Sequence, residues 1–84
     1  MKKPYPQAER DAWAAAYADK CSAIWRLVDA RTARAMAKMS VRDPARDQAL
    51  DNQIAVAEAD RDIAIARCRA ARQALDEAEA EAET

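Results

Sequence analysis

Ser40-Val41-Arg42-Asp43-Pro44 is the one strong break in an 84-residue chain that reads as helix on either side of it. Asp43 is a good N-cap, and Pro44 suits the first helical position, where a missing N–H costs nothing. Proline also drives the residue before it out of helical dihedrals, so a helix arriving from the N-terminal side must stop by Ser40 to Arg42. Pairing Ser40 with Asp43 as a capping box would instead put Pro44 where the first intrahelical N–H is needed, so Asp43 is the preferred cap. The chain therefore turns here.

Outward from the turn nothing stops a helix between Gln7 and Met39 or between Ala45 and Ala82. Glycine, phenylalanine and histidine are absent, and alanine, arginine and glutamate, all strong helix formers, dominate. The expected fold is all-α: a two-helix antiparallel hairpin, coiled-coil-like with an alanine-rich seam. Residues 1–6, with two prolines, form an extended arm. A single helical-hairpin domain over 7–82 follows, with helices at about 7–39 and 44–82 and a turn at 40–43.

Such a hairpin has little to bury. Hydrophobic residues make up 51% of the chain, but 24 of those 43 are alanine. A chain this short holds a small core in any case and usually needs a staple or a second copy.

The first helix carries Trp13, Tyr17, Cys21, Ile24, Val28, Ala35 and Met39 at steps of four and three, with one omission, and this stripe reads as its hairpin seam. Leu27 lies on one side of it, while Trp25 and Met36 extend it on the other. The apolar arc then approaches half the circumference, more than one partner helix covers. Arg31 falls inside the stripe, its stem packing and its head reaching solvent or a carboxylate. Asp19, Ser22, Arg26, Asp29 and Ala33 form the solvated face.

On the second helix a heptad runs through Leu50, Ile54, Ala57, Arg61, Ala64, Cys68, Ala71, Leu75, Ala78 and Ala82. Alanine at every second place would let the helices approach closely opposite Trp and Tyr, and Arg61 would fix the register. Val56, Ala59, Ile63, Ala66, Ala70 and Ala74 form another stripe roughly 130° or more from that seam at 100° per residue. A lone hairpin leaves it wet, so two hairpins are expected to associate into a four-helix bundle, with Val56, Ala59, Ile63, Ala66 and Ala70 at the dimer interface. The closing Glu/Ala alternation, Asp76 to Thr84, reads as a fraying helix end, since acidic groups sit badly at a helix C-terminus.

Formal charge is −1, but it is unevenly spread. Through Arg46 the chain has ten basic and five acidic residues; beyond it, four and ten. Arg31, Arg34, Lys38, Arg42 and Arg46 crowd the tip, and Asp76, Glu77, Glu79, Glu81 and Glu83 crowd the open end. This polarity favours an antiparallel dimer, tip to open end.

The chemistry of most enzymes is missing. Without histidine or glycine there is no usual general base, no phosphate-cradling loop and no Glu-x-x-His di-iron motif. Glu58 and Asp62 share a helical face but read as solvated. Cys21 and Cys68 cannot form a four-ligand zinc site. They are offset by roughly 9 Å along the hairpin at 1.5 Å per residue, too far for an easy disulfide, so both read as small buried apolar residues. No enzymatic role, metal or cofactor is expected. No apolar run spans a membrane and no signal segment follows Met1-Lys2-Lys3, so a cytoplasmic location is expected.

Two function classes remain. The first is a protein-interaction module, a homodimer that regulates or inhibits a larger protein through a patch containing Trp25 and Met36, with Arg31, Arg34, Lys38 and Arg42 beside it. The second is a nucleic-acid binder using the basic turn, disfavoured by a pI near 5.4. A structural or assembly subunit is a further alternative. Size and composition resemble those of small helical phage-encoded inhibitors that occlude host machinery, without a motif behind the analogy.

Overall fold

The computed structural model describes residues 4–83, which form two antiparallel helices, α1 (Gln7–Ala37) and α2 (Pro44–Glu83), joined by a turn at 38–43. The described residues contain no strand, and the hairpin is a thin rod of 69 × 14 × 12 Å.

The turn is built as its residues dictate. Asp43 caps α2, its Oδ1 accepting the Arg46 backbone N–H at 3.1 Å, while its carbonyl accepts from Asp47 at 2.9 Å. With no glycine to close α1, its last turn tightens. Met39 N–H donates to the Met36 carbonyl at 3.0 Å and Ser40 N–H to the Ala37 carbonyl at 3.1 Å. The Arg46 side chain then reaches back, donating to the carbonyls of Val41 (3.0 Å) and Ala37 (3.3 Å). A cation at the negative end of α1 stabilises that terminus. Helix α1 thus ends at Ala37, two residues short of the expected Met39.

The seam of α2 is the expected heptad. Ala57, Ala64, Cys68 and Leu75 are buried, and Leu50, Ile54, Arg61, Ala71, Ala78 and Ala82 are half-buried. The seam of α1 differs from the expected one. Its inward positions are Glu9, Trp13, Ala16, Lys20, Ala23, Leu27, Ala30, Arg34 and Ala37, an unbroken alternation of four and three. Tyr17, Ile24 and Val28, expected inside, are 47%, 38% and 41% exposed, and Ala35 and Met39 are also exposed. Leu27, expected at the side, is 3% exposed and central. Of the aromatic residues only Trp13 faces the seam, so alanine-rich α2 meets another alanine-rich helix rather than a row of large rings.

The cause is geometric. Small side chains on both helices let the backbones come close, and long cationic stems can line such a seam while their heads escape. Lys20 Nζ lies 4.4 Å from the Tyr17 ring centroid, and Arg34 turns to Asp51 and Asp47. A core of four alanines, two leucines and a cysteine is the result.

At the open end α2 is helical to Glu83. Pro4, Tyr5 and Pro6 lie beside Ala78 and Glu81, with Pro6 buried. The acidic end of α2 therefore sits next to the N-terminus of α1, which has no side-chain cap and whose dipole is positive. Residues 1–3 of the expected arm lie outside the described residues.

Candidate interaction surface

Because the seam takes the small residues, the large ones are displaced onto the flanks, and the rod has two long sides of different character. One side carries Trp13, Tyr17, Lys20 and Ile24 from α1 with Ile65, Cys68, Arg69 and Arg72 from α2, around a groove of about 470 Å³. Its rings are ordered by cations. Trp13 and Tyr17 are 5.8 Å apart and tilted by 46°, and the Arg72 guanidinium lies 5.2 Å over Trp13. Arg72 is held in turn by Asp76 at 3.1 Å. Val28 and Cys21 also lie on this side of α1, each one helical turn from Ile24.

The opposite side is mixed, apolar near Val56 and polar around Asp19 and Arg67. Arg26, Asp29 and Ala33 of α1 face Asn52, Gln53, Val56 and Asp60 of α2 there, and Asp19, Ser22, Ile63 and Arg67 continue it. Val56, Ile63, Ala59, Ala66 and Ala70, the stripe expected at a dimer interface, are all exposed on α2, away from its seam. Val56 and Ile63 stand among charged groups.

Trp25 and Met36, the expected partner contacts, are 66% and 64% exposed on the outer surface of α1. They share a strip but lie eleven residues apart, about 16 Å along the helix. Neither adjoins the seam.

The basic tip is less free than its composition implies. Arg34 Nε binds Asp51 at 2.8 Å and Nη1 lies 3.5 Å from Asp47. The hydrogen bond to Asp51 raises the Arg34 pKa above its ordinary value, desolvation opposes it, and the charges of Asp51 and Asp47 add to the rise. Arg46 holds the turn carbonyls and Asp47, with its Nε buried and without a partner. Arg31, Lys38 and Arg42 are the exposed cations of this end.

Both cysteines are free thiols. Cys68 is buried as expected, but Cys21 is only half-buried. Among the described residues no group of three or more His, Cys, Asp or Glu could hold a metal ion, and no helix is long and apolar enough to cross a membrane.

The sequence reading missed the side built on Tyr17, Ile24 and Ile65 because it assigned the first two to the seam. A signal did exist: the stripe at 16, 20, 23, 27, 30, 34 and 37 keeps perfect heptad spacing, whereas the chosen stripe skips a member at Arg31. Comparison with family models, curated proteins and solved structures gave no match.

Proposed function

We propose that this protein is a non-enzymatic interaction module, a homodimer of helical hairpins that binds and regulates a larger protein. One observation carries the reading: the hairpin packs alanine inside and leaves large side chains outside. Among the described residues Leu75 is the only large side chain fully withdrawn from solvent, while Tyr17, Ile24, Trp25, Val28, Met36, Val56 and Ile63 are exposed. Scattered apolar residues on a surface are ordinary, but here Tyr17, Ile24 and Ile65 share one groove on a rod too thin to cover it. Trp and Met are side chains enriched where proteins meet, so the outer strip with Trp25 and Met36 is assigned to the larger partner. Arg31, Lys38 and Arg42 supply charge near it, whereas Arg34 is committed to Asp47 and Asp51. That commitment, with that of Arg46, also weakens a nucleic-acid reading of the tip.

The test is capture from a lysate of the source cells with the parent chain, Trp25→Ala and Met36→Ala as baits. Each bait's mass is measured by light scattering. The reading expects a bound protein that Trp25→Ala loses while remaining dimeric. Equal capture by all three baits would refute the assignment of this strip.

A further inference from the structure

We infer that the side bearing Tyr17, Ile24 and Ile65 is covered by a second copy of the same side, the two rods running antiparallel. This rests on the homodimer reading above and names its surface and register.

The first argument is area. The hairpin exposes 6333 Å², whereas a compact monomer of its 9.3 kDa mass exposes about 5,000 Å². The excess, roughly 1,300 Å² per chain, is the amount each partner buries in an obligate homodimer. Laying two rods side by side removes it.

The second argument is position. Arg34 meets Asp51 and Arg72 lies over Trp13, so each step up α1 is matched by one step down α2. On that scale Ile65 is level with Lys20 and Cys21, close to the middle of the 40-residue α2. Tyr17 and Ile24 stand on either side of this level. The apolar patch is thus centred on the rod, and a two-fold axis crossing the rod there gives nearly full overlap. Tyr17 then packs on Ile24 of the partner subunit, and Ile65 on the partner's Ile65.

The third argument is charge. Along α2 the groups on this side change sign about Ile65: Glu58 and Asp62 precede it by seven and three residues, and Arg69 and Arg72 follow by four and seven. An antiparallel α2 pair centred on Ile65 sets Glu58 against the partner's Arg72, which its own Asp76 also holds, and Asp62, which Arg61 also holds, against the partner's Arg69. Like charges, Arg10 with the partner's Arg31 and Asp51 with the partner's Glu79, meet toward the ends of the overlap, while the two Lys20 side chains meet near the axis, each with its Nζ over its own Tyr17 ring. At the ends solvent screens the like charges, and Asp51 is already bound by Arg34. A two-fold axis along the rod would instead place both basic tips together. The Val56/Ile63 side also changes sign, at Asp60 and Arg67, but the groove at its centre is mainly polar, lined by Asp19, Ser22, Arg26, Asp60 and Arg67.

Cys21 reports on the arrangement. It lies beside the proposed axis, so stacked α1 helices 8–10 Å apart would bring the two Cys21 Cα atoms to about 5–6 Å, within disulfide range. The test takes the full chain with Cys68→Ala, leaving Cys21 as its only thiol, at micromolar concentration. Copper phenanthroline in air is the oxidant, and the product is read on a non-reducing gel. A second chain, with Cys21→Ala, Cys68→Ala and Ile63→Cys, places its thiol at the same level on the opposite side. The parent's mass is measured by light scattering. The inference expects a dimeric mass and linkage through Cys21 at least tenfold faster than through position 63. The reverse order, or a dimer in which neither thiol links, would overturn the surface named here while sparing the dimer. A monomeric mass would overturn the homodimer reading itself.

Discussion

Leu27→Ala is the substitution that separates the two possible seams of α1. Leu27 is 3% exposed, and its seam neighbours one turn away on α1 are Ala23 and Ala30. Truncating a buried leucine costs about 2–5 kcal/mol through lost transfer energy and the cavity left behind. Alanine neighbours have no side chain with which to fill that cavity, so the upper half of the range applies, about 3–4 kcal/mol. For a domain of this size each kcal/mol lowers the melting temperature by about 4–8 °C, so a fall above about 12 °C is expected. Met39→Ala, at a position the alternative stripe would bury but which is 88% exposed, should stay within about 0.5 kcal/mol. The assay is urea denaturation followed by helical circular dichroism, at one fixed protein concentration because association contributes to apparent stability. A loss below about 1 kcal/mol for Leu27→Ala, with a loss above about 2 kcal/mol for Met39→Ala, would refute the seam described here.

Other substitutions test other parts of the account. Asp43→Ala removes the α2 cap and should cost about 1 kcal/mol in the same assay, with Asp43→Asn nearly neutral. Ala64→Leu forces a large side chain into a seam built for small ones and should destabilise by about 1–3 kcal/mol, although it adds apolar surface. Ile24→Asp should lower the mass seen in light scattering, while Ile63→Asp should not. Because the Arg34 pKa is raised, its ion pair is complete below the ordinary arginine range and is lost only as pH rises through the folded-state value. The stability difference between the parent and Arg34→Gln should therefore be constant from neutral to mildly alkaline pH, and a marked pH dependence in that window would contradict the pairing.

The turn and α2 were legible in the sequence for a physical reason. Asp43-Pro44 admits one reading, and in α2 charged residues flank the seam closely enough to make Leu50, Ile54, Cys68 and Leu75 stand out. In α1 two stripes one residue apart both satisfy the helical period, and reading by size favours Tyr17, Ile24 and Val28. Packing favours the other stripe, because close helices need small side chains between them, and Lys20 and Arg34 can line a seam by their stems. Pattern alone could not rank the two, since alanine fits either environment. The interaction surface was hidden by the same ambiguity, its members having been assigned to the interior. Arg34 was misread for a different reason: its contact with Asp51 joins opposite arms of the hairpin, and charge counted along the sequence does not show it.

The most direct test of the central claim, that the side of this hairpin bearing Tyr17, Ile24 and Ile65 is covered by a second copy of itself, is the solution mass of the parent chain. Light scattering at micromolar concentration should give twice the 9.3 kDa chain mass, with a melting temperature that rises with protein concentration. A mass of 9.3 kDa for a chain that still melts cooperatively, at a temperature independent of concentration, would contradict it.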